Sequence, residues 1–169
     1  MRFLALAVMA VVFSVASISA AEAKVTLSGV HLCCGSCVKG VAAATKDTGA
    51  TVTADMETKK VVIVGKDEKE AKAAVDALST AGFYGVSDNK DIAMKPAEPT
   101  EGKVKSMDFS THNCCPKCTK AIDAVAKKAE GVTEVAATPK EPAVSVKGDF
   151  DAKAEAKVMN DAGFQVNKK

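Results

Sequence analysis

The chain has 169 residues, enough for one domain or two small ones, and a formal net charge of +2, too small to point to a nucleic-acid partner. It has no Trp, one Tyr and six Phe. That excludes an aromatic stacking surface for single-stranded nucleic acid and leaves cores to be built from Val, Ala, Leu, Ile and a few Phe.

Residues 1–23 read as a secretory signal peptide. Arg2 starts it, an apolar run follows from Phe3 to about Ile18, and small residues accumulate at Ser19, Ala20, Ala21 and Ala23. Cleavage after Ala21 or Ala23 fits the small-x-small rule. The apolar run is short for a membrane span, and no second one follows. The mature chain is therefore expected to be periplasmic or secreted, with no stable membrane insertion.

Residues 24–91 read as a first domain. Val25 and Leu27 alternate with polar residues and predict a strand. A cysteine-rich loop follows. Val38, Val41, Ala42 and Thr45 then recur at helical spacing, and Gly49 ends that helix. Thr51–Asp55 and Val61–Val64 predict two strands with a turn between them. Asp67 caps a second helix, with Glu70 at the capping-box position and Ala71, Ala74, Val75 and Leu78 on its apolar face. Gly82 closes it, and Phe83–Ser87 predicts a short last strand. The alternating charges of Lys66–Lys72 read as a solvated helix face.

Residues 92–102 read as an extended linker, polar and holding two prolines. Residues 103–169 repeat the pattern. A helix over about Pro116–Ala129 turns Ile122, Val125 and Ala126 inward, with Pro116 in its first turn. Strands follow near Val132–Ala137 and Ala143–Lys147. Asp151 caps a helix carrying Ala152, Ala156 and Met159, and Phe164–Asn167 closes the unit. The order β-α-β-β-α-β suits an α+β fold, an antiparallel sheet with both helices on one face.

The most specific signal is a motif that occurs twice. His31-Leu32-Cys33-Cys34-Gly35-Ser36-Cys37 and His112-Asn113-Cys114-Cys115-Pro116-Lys117-Cys118 contain all six cysteines and both histidines. A constant offset of 81 relates them, and the same offset aligns Ala81-Gly82-Phe83 with Ala162-Gly163-Phe164. Val62-Ile63-Val64 aligns with Val144-Ser145-Val146 if one extra residue is allowed. A tandem duplication explains this. Soft sulfur donors at fixed spacing are what a thiophilic metal needs.

Export favours disulfides, so a disulfide framework competes with this reading. Three cysteines per cluster strand one thiol, and adjacent cysteines bridge only through a strained ring. Metal binding is therefore the leading reading and thiol–disulfide redox chemistry the second. A zinc-binding or disulfide-stapled interaction protein is the third. No catalytic triad spacing, phosphate loop or carboxylate cluster is present, so an enzyme is not expected.

Both units resemble heavy-metal-associated domains, the modules of copper chaperones, metal-pump N-terminal tails and periplasmic mercury-binding proteins. Cys34-Gly35-Ser36-Cys37 and Cys115-Pro116-Lys117-Cys118, placed between first strand and first helix, carry the resemblance together with the Ala-Gly-Phe ends. It implies two ferredoxin-like βαββαβ sandwich domains in tandem. It also implies transfer of Cu(I), with Zn(II) or Hg(II) as alternatives, to or from a partner such as a membrane metal transporter. Cys34, Cys37, Cys115 and Cys118 become the primary ligands. Cys33, Cys114, His31 and His112 are possible auxiliary ones, since the family has Gly-Met-x-Cys-x-x-Cys there. Leu32 and Asn113 stand at the family's Met position, where the polar Asn113 is expected to loosen the second loop. One open pocket per domain, gripping Cu(I) in a near-linear arrangement, is the resulting expectation. Phe83 and Phe164 are expected to pack in the cores, near the metal loops. The first strand lies one residue nearer the cysteines in the second unit, which requires a shorter loop or a bulge.

Overall fold

The computed structural model describes residues 21–96, 99 and 102–168. The leader before Ala21 and part of the predicted linker lie outside the described residues. The fold is mixed α+β, with two four-stranded sheets and four helices among the described residues, consistent with two ferredoxin-like units.

The first half runs β1 (Ala23–Ser28), α1 (Gly35–Thr45), β2 (Thr51–Asp55), β3 (Lys60–Gly65), α2 (Glu68–Thr80) and β4 (Val86–Ser87). The second runs β5 (Lys103–Ser110), α3 (Pro116–Ala126), β6 (Val132–Ala137), β7 (Ala143–Asp151), α4 (Ala152–Asp161) and β8 (Asn167–Lys168). The sheets have the same antiparallel order, β2-β3-β1-β4 and β6-β7-β5-β8. Among the described residues no helix is long and apolar enough to cross a membrane.

Side-chain alternation sets the buried face. Val25, Leu27, Val61 and Ile63 are fully buried in the first core with Ala71, Ala74, Val75 and Leu78 of α2. Phe109, Val144, Val146 and Phe150 play the same part in the second, with Ile122 of α3 and Met159 of α4. Both predicted caps form. Asp67 accepts from the Glu70 amide at 2.8 Å, and Asp151 accepts from the Ala154 amide at 2.9 Å. The Lys66–Lys72 stretch is exposed on its charged side, where Lys66 pairs with Glu70 and Lys72 with Asp76.

The register corrects one sequence alignment. Leu27 pairs with Val61 and Phe109 with Val144. Val61 therefore corresponds to Val144 and Ile63 to Val146, one residue away from the sequence match. A one-residue slip exchanges the two faces of a strand, and only this register buries Val144 and Val146. The expected slip before the second motif is absorbed by loop length. Gly29-Val30 separates β1 from His31, whereas Thr111 alone separates β5 from His112.

Two other expectations shift. Helix α1 begins at Gly35 rather than Val38, so its inward face runs Cys37, Val41, Thr45 and leaves Ala42 exposed. Ile92 and Met94, placed by the sequence in the linker, are buried in the first core.

Candidate metal centre

Each Cys-x-x-Cys straddles a helix start. Cys34 and Cys115 are the N-caps of α1 and α3, with extended backbones at φ −163° and −160°. Cys37 and Cys118 lie in the first turns and are fully buried, whereas Cys33, Cys34, Cys114 and Cys115 are half-buried. All six are free thiols.

The two clusters do not form separate pockets. They face one another and merge. Cys33 Sγ lies 3.5 Å from Cys118 and 3.8 Å from Cys115. Cys34 lies 3.6 Å from Cys115, Cys37 lies 3.6 Å from Cys114, and Cys37 lies 3.8 Å from Cys118. Within the motifs, Cys34–Cys37 is 3.9 Å and Cys115–Cys118 is 3.7 Å. These cross-half separations match those within each half, so the six sulfurs form one assembly. The expectation of one open site per domain is corrected accordingly.

The reason lies in the Ala-Gly-Phe repeats, whose role the sequence did not reveal. Phe83 and Phe164 form an antiparallel bridge between the halves. The Gly82 carbonyl accepts from the His112 amide at 3.2 Å and the Gln165 amide at 2.9 Å. The Gly163 carbonyl accepts from the His31 amide at 3.4 Å and the Tyr84 amide at 3.1 Å. The pairing is reciprocal, as an approximate two-fold relation between duplicated units requires. Both glycines sit at φ +86°, and a Cβ there would lie 2.1 Å from the His112 nitrogen or 2.3 Å from the His31 nitrogen. Glycine is needed for both reasons.

The histidines are exchanged between halves. His31 stacks on Phe164 with centroids 4.2 Å apart, and His112 stacks on Phe83 at 3.9 Å. The phenylalanines are core residues, as expected, and also supports for the opposite motif. The Nε2 atoms of both histidines are buried with no hydrogen-bond partner. A ring nitrogen of His112 lies with the sulfurs of Cys37, Cys114 and Cys118 in a group whose ligand atoms are all within 4.8 Å of one another, and His31 does so with Cys33 and Cys118. Burial lowers the His31 pKa, opposed by Cys37 and aided by His112 and Lys59. The neutral ring is the form that ligates a metal.

The second loop is not looser. Asn113 is buried and donates to the carbonyls of Thr138 at 2.8 Å and Glu141 at 3.0 Å, while accepting from the Thr119 hydroxyl at 2.9 Å. Polar Asn113 pins its loop by hydrogen bonds where Leu32 uses apolar burial. On the first-unit side the Lys59 ammonium donates to the Leu32 carbonyl at 2.6 Å. A recess of about 150 Å³ opens there, lined by Val30, His31, Leu32, Cys33, Lys59 and Ala162.

The thiols are electrostatically unequal. Hydrogen bonding from Cys118 holds Cys37 far below the ordinary thiol range against the cost of burial, helped by His112 and the backbone at Cys33 and Cys34. The same bond, with burial, pushes Cys118 up. The two titrate as a coupled pair across the interface. Burial pushes Cys33 up to about 12 and also raises Cys114. Burial works against ionisation of Cys115 too, but the backbone at Cys118 and the thiols of Cys34 and Cys118 bring it down to about 7.

The donor set fits a soft ion. With metal–sulfur bonds near 2.3 Å, tetrahedral ligation places sulfurs about 3.8 Å apart and linear ligation about 4.6 Å apart. Separations of 3.5 to 3.9 Å thus suit three- or four-fold ligation and not the expected near-linear pair. A ring nitrogen of each histidine lies within 4.8 Å of sulfurs of this set and could complete it.

No family model matches the chain, and no curated protein matches it. Among solved structures it is similar to the solution structure of the N-terminal soluble domains of Bacillus subtilis CopA. That likeness is 14% identical, covers 89% of this chain and 95% of that one, and has a TM-score of 0.34.

Proposed function

We propose that this protein binds a soft metal, Cu(I) first among candidates, at one thiolate centre shared by its two halves. The observation that carries the reading is the convergence of six free thiols, from both repeats, at 3.5 to 3.9 Å. Soft thiolates select Cu(I) and Zn(II) over hard cations, and the resemblance of both motifs to heavy-metal-associated domains puts Cu(I) first. The tandem arrangement is that of two heavy-metal-associated domains turned toward each other, exported by the leader and sequestering or passing on the ion. Cys34 and Cys115, half-buried at the helix starts, are the thiols an acceptor protein reaches first. Binding, not catalysis, is the role.

Anaerobic titration of the reduced full chain with Cu(I) tests this. Tight uptake, lost when Cys37 and Cys118 are both replaced by Ser, is the expected result. Undiminished uptake in that variant would contradict it. The redox reading predicts instead ready oxidation to a cross-half disulfide and a reduction potential in the range of thiol oxidants.

A further inference from the structure

The six sulfurs are not equivalent. Cys37 and Cys118 are the two fully buried ones and lie 3.8 Å apart. Cys33 is 3.6 Å from Cys37 and 3.5 Å from Cys118. Cys114 is 3.6 Å from Cys37 and 3.7 Å from Cys118. The four sulfurs therefore make two triangles that share the Cys37–Cys118 edge. Every edge is close to the sulfur–sulfur spacing of a tetrahedral thiolate site, about 3.8 Å. Each triangle has a histidine beside it. His112 groups with Cys37, Cys114 and Cys118, and His31 groups with Cys33 and Cys118. Both rings carry a buried nitrogen with no partner.

We propose that the centre holds two soft metal ions sharing Cys37 and Cys118 as bridging thiolates, one completed by Cys114 and His112 and the other by Cys33 and His31. This rests on the metal-binding reading above and adds its nuclearity and ligand sets. The repeat relation supports it, because exchanging the two motifs exchanges the two sets and keeps the shared edge in place. A single ion held by Cys37, Cys118 and one motif's remaining Cys and His would break that symmetry, and an all-sulfur ion would leave the buried nitrogens of both histidines unused. The Cys-x-x-Cys pairs of the separate repeats are then not the units of binding. Each set draws on both repeats. In this assignment Cys34 and Cys115, 3.6 Å apart and 3.9 and 3.7 Å from the bridging sulfurs of Cys37 and Cys118, are left as exchange thiols at the edge of the core.

The test is X-ray absorption on the reduced full chain loaded with two equivalents of Cu(I) alone. Bridges 3.8 Å apart with bonds near 2.3 Å put the ions about 2.6 Å from each other. The expected spectrum shows that metal–metal vector and a nitrogen scatterer near about 2.0 Å beside sulfur. Replacing His31→Phe and His112→Phe together keeps a ring on each stacking partner and should remove the nitrogen component, weakening affinity at least about tenfold. A sulfur-only first shell in the unaltered protein, saturation at one ion, or two ions with no metal–metal vector would overturn the proposal while leaving metal binding intact. Failure to take up Cu(I) at all would overturn both.

Discussion

His112 lies flat on Phe83, 3.9 Å between centroids and 25° between planes, although the two residues come from different repeats. The His31–Phe164 stack reproduces it at 4.2 Å and 26°. Each repeat thus lends an aromatic floor to the other's histidine, and the thiol cluster is assembled by the same surface that joins the halves.

Truncating that floor should damage fold and site together. Phe83→Ala removes a fully buried ring and is expected to cost about 3–5 kcal/mol in urea unfolding of the metal-free chain. It should also expose His112, which histidine NMR shifts would report. A loss under about 1 kcal/mol would mean that the stack holds little of the interface together.

Gly82→Ala is a sharper probe of the interface. The new Cβ would lie 2.1 Å from the His112 nitrogen, at a φ of +86°. The two backbones must separate, breaking the Gly82 carbonyl bonds to His112 and Gln165. Small-angle scattering should show a larger radius of gyration, while each half keeps its helical circular dichroism. An unchanged radius would show that the interface yields without opening.

Asn113→Leu would make the second loop resemble the first in sequence. Here it should destabilise, by about 1–3 kcal/mol, because the Glu141 carbonyl loses the Asn113 amide donor and the Thr138 carbonyl keeps only its bond from the Glu141 amide. Denaturant melts of the variant against the unaltered chain check this. A neutral or stabilising result would mean that apolar burial serves both loops equally.

Glu155 is fully buried on α4, and neither carboxylate oxygen has a hydrogen-bond partner. Burial raises its pKa from 4.5 to about 7. Below 4.5 the acid is neutral in both folded and unfolded chains. Between 4.5 and about 7 the unfolded chain ionises first, so the fold loses stability as pH rises, by about 3 kcal/mol once the window is crossed. Glu155→Gln should flatten that dependence and raise stability at pH 8 relative to the parent. Urea midpoints at pH 5 and pH 8 decide it. Parallel pH profiles for both proteins would contradict it.

Period and punctuation made most of the fold legible. The caps at Asp67 and Asp151, the apolar face of α2 and the β-α-β-β-α-β order are local, so their signals lie within a few residues. The phase of β7 is ambiguous in the sequence because Val-x-Val patterns match at more than one offset, and only pairing with β5 fixes it. The motif named the ligand candidates, yet it could not show that the two copies meet. That depends on contacts between residues about 80 positions apart, such as Phe83 with Phe164. The recurrence of Ala-Gly-Phe at the same offset in both repeats is the feature of the sequence that marks these residues, without showing that they meet. The anchoring role of Asn113 is not legible in the sequence because its hydrogen-bond partners, Thr138 and Glu141, are brought to it only by the fold.

The most direct test of a shared centre removes the thiols of one repeat only. In the full reduced chain, Cys114, Cys115 and Cys118 are replaced together by Ser, and Cu(I) capacity and affinity are measured anaerobically against a competing chelator. A centre built from both halves predicts capacity well below half and a loss of tight binding at the intact Cys33, Cys34 and Cys37. Retention of half the capacity at unchanged affinity would show that the repeats bind independently.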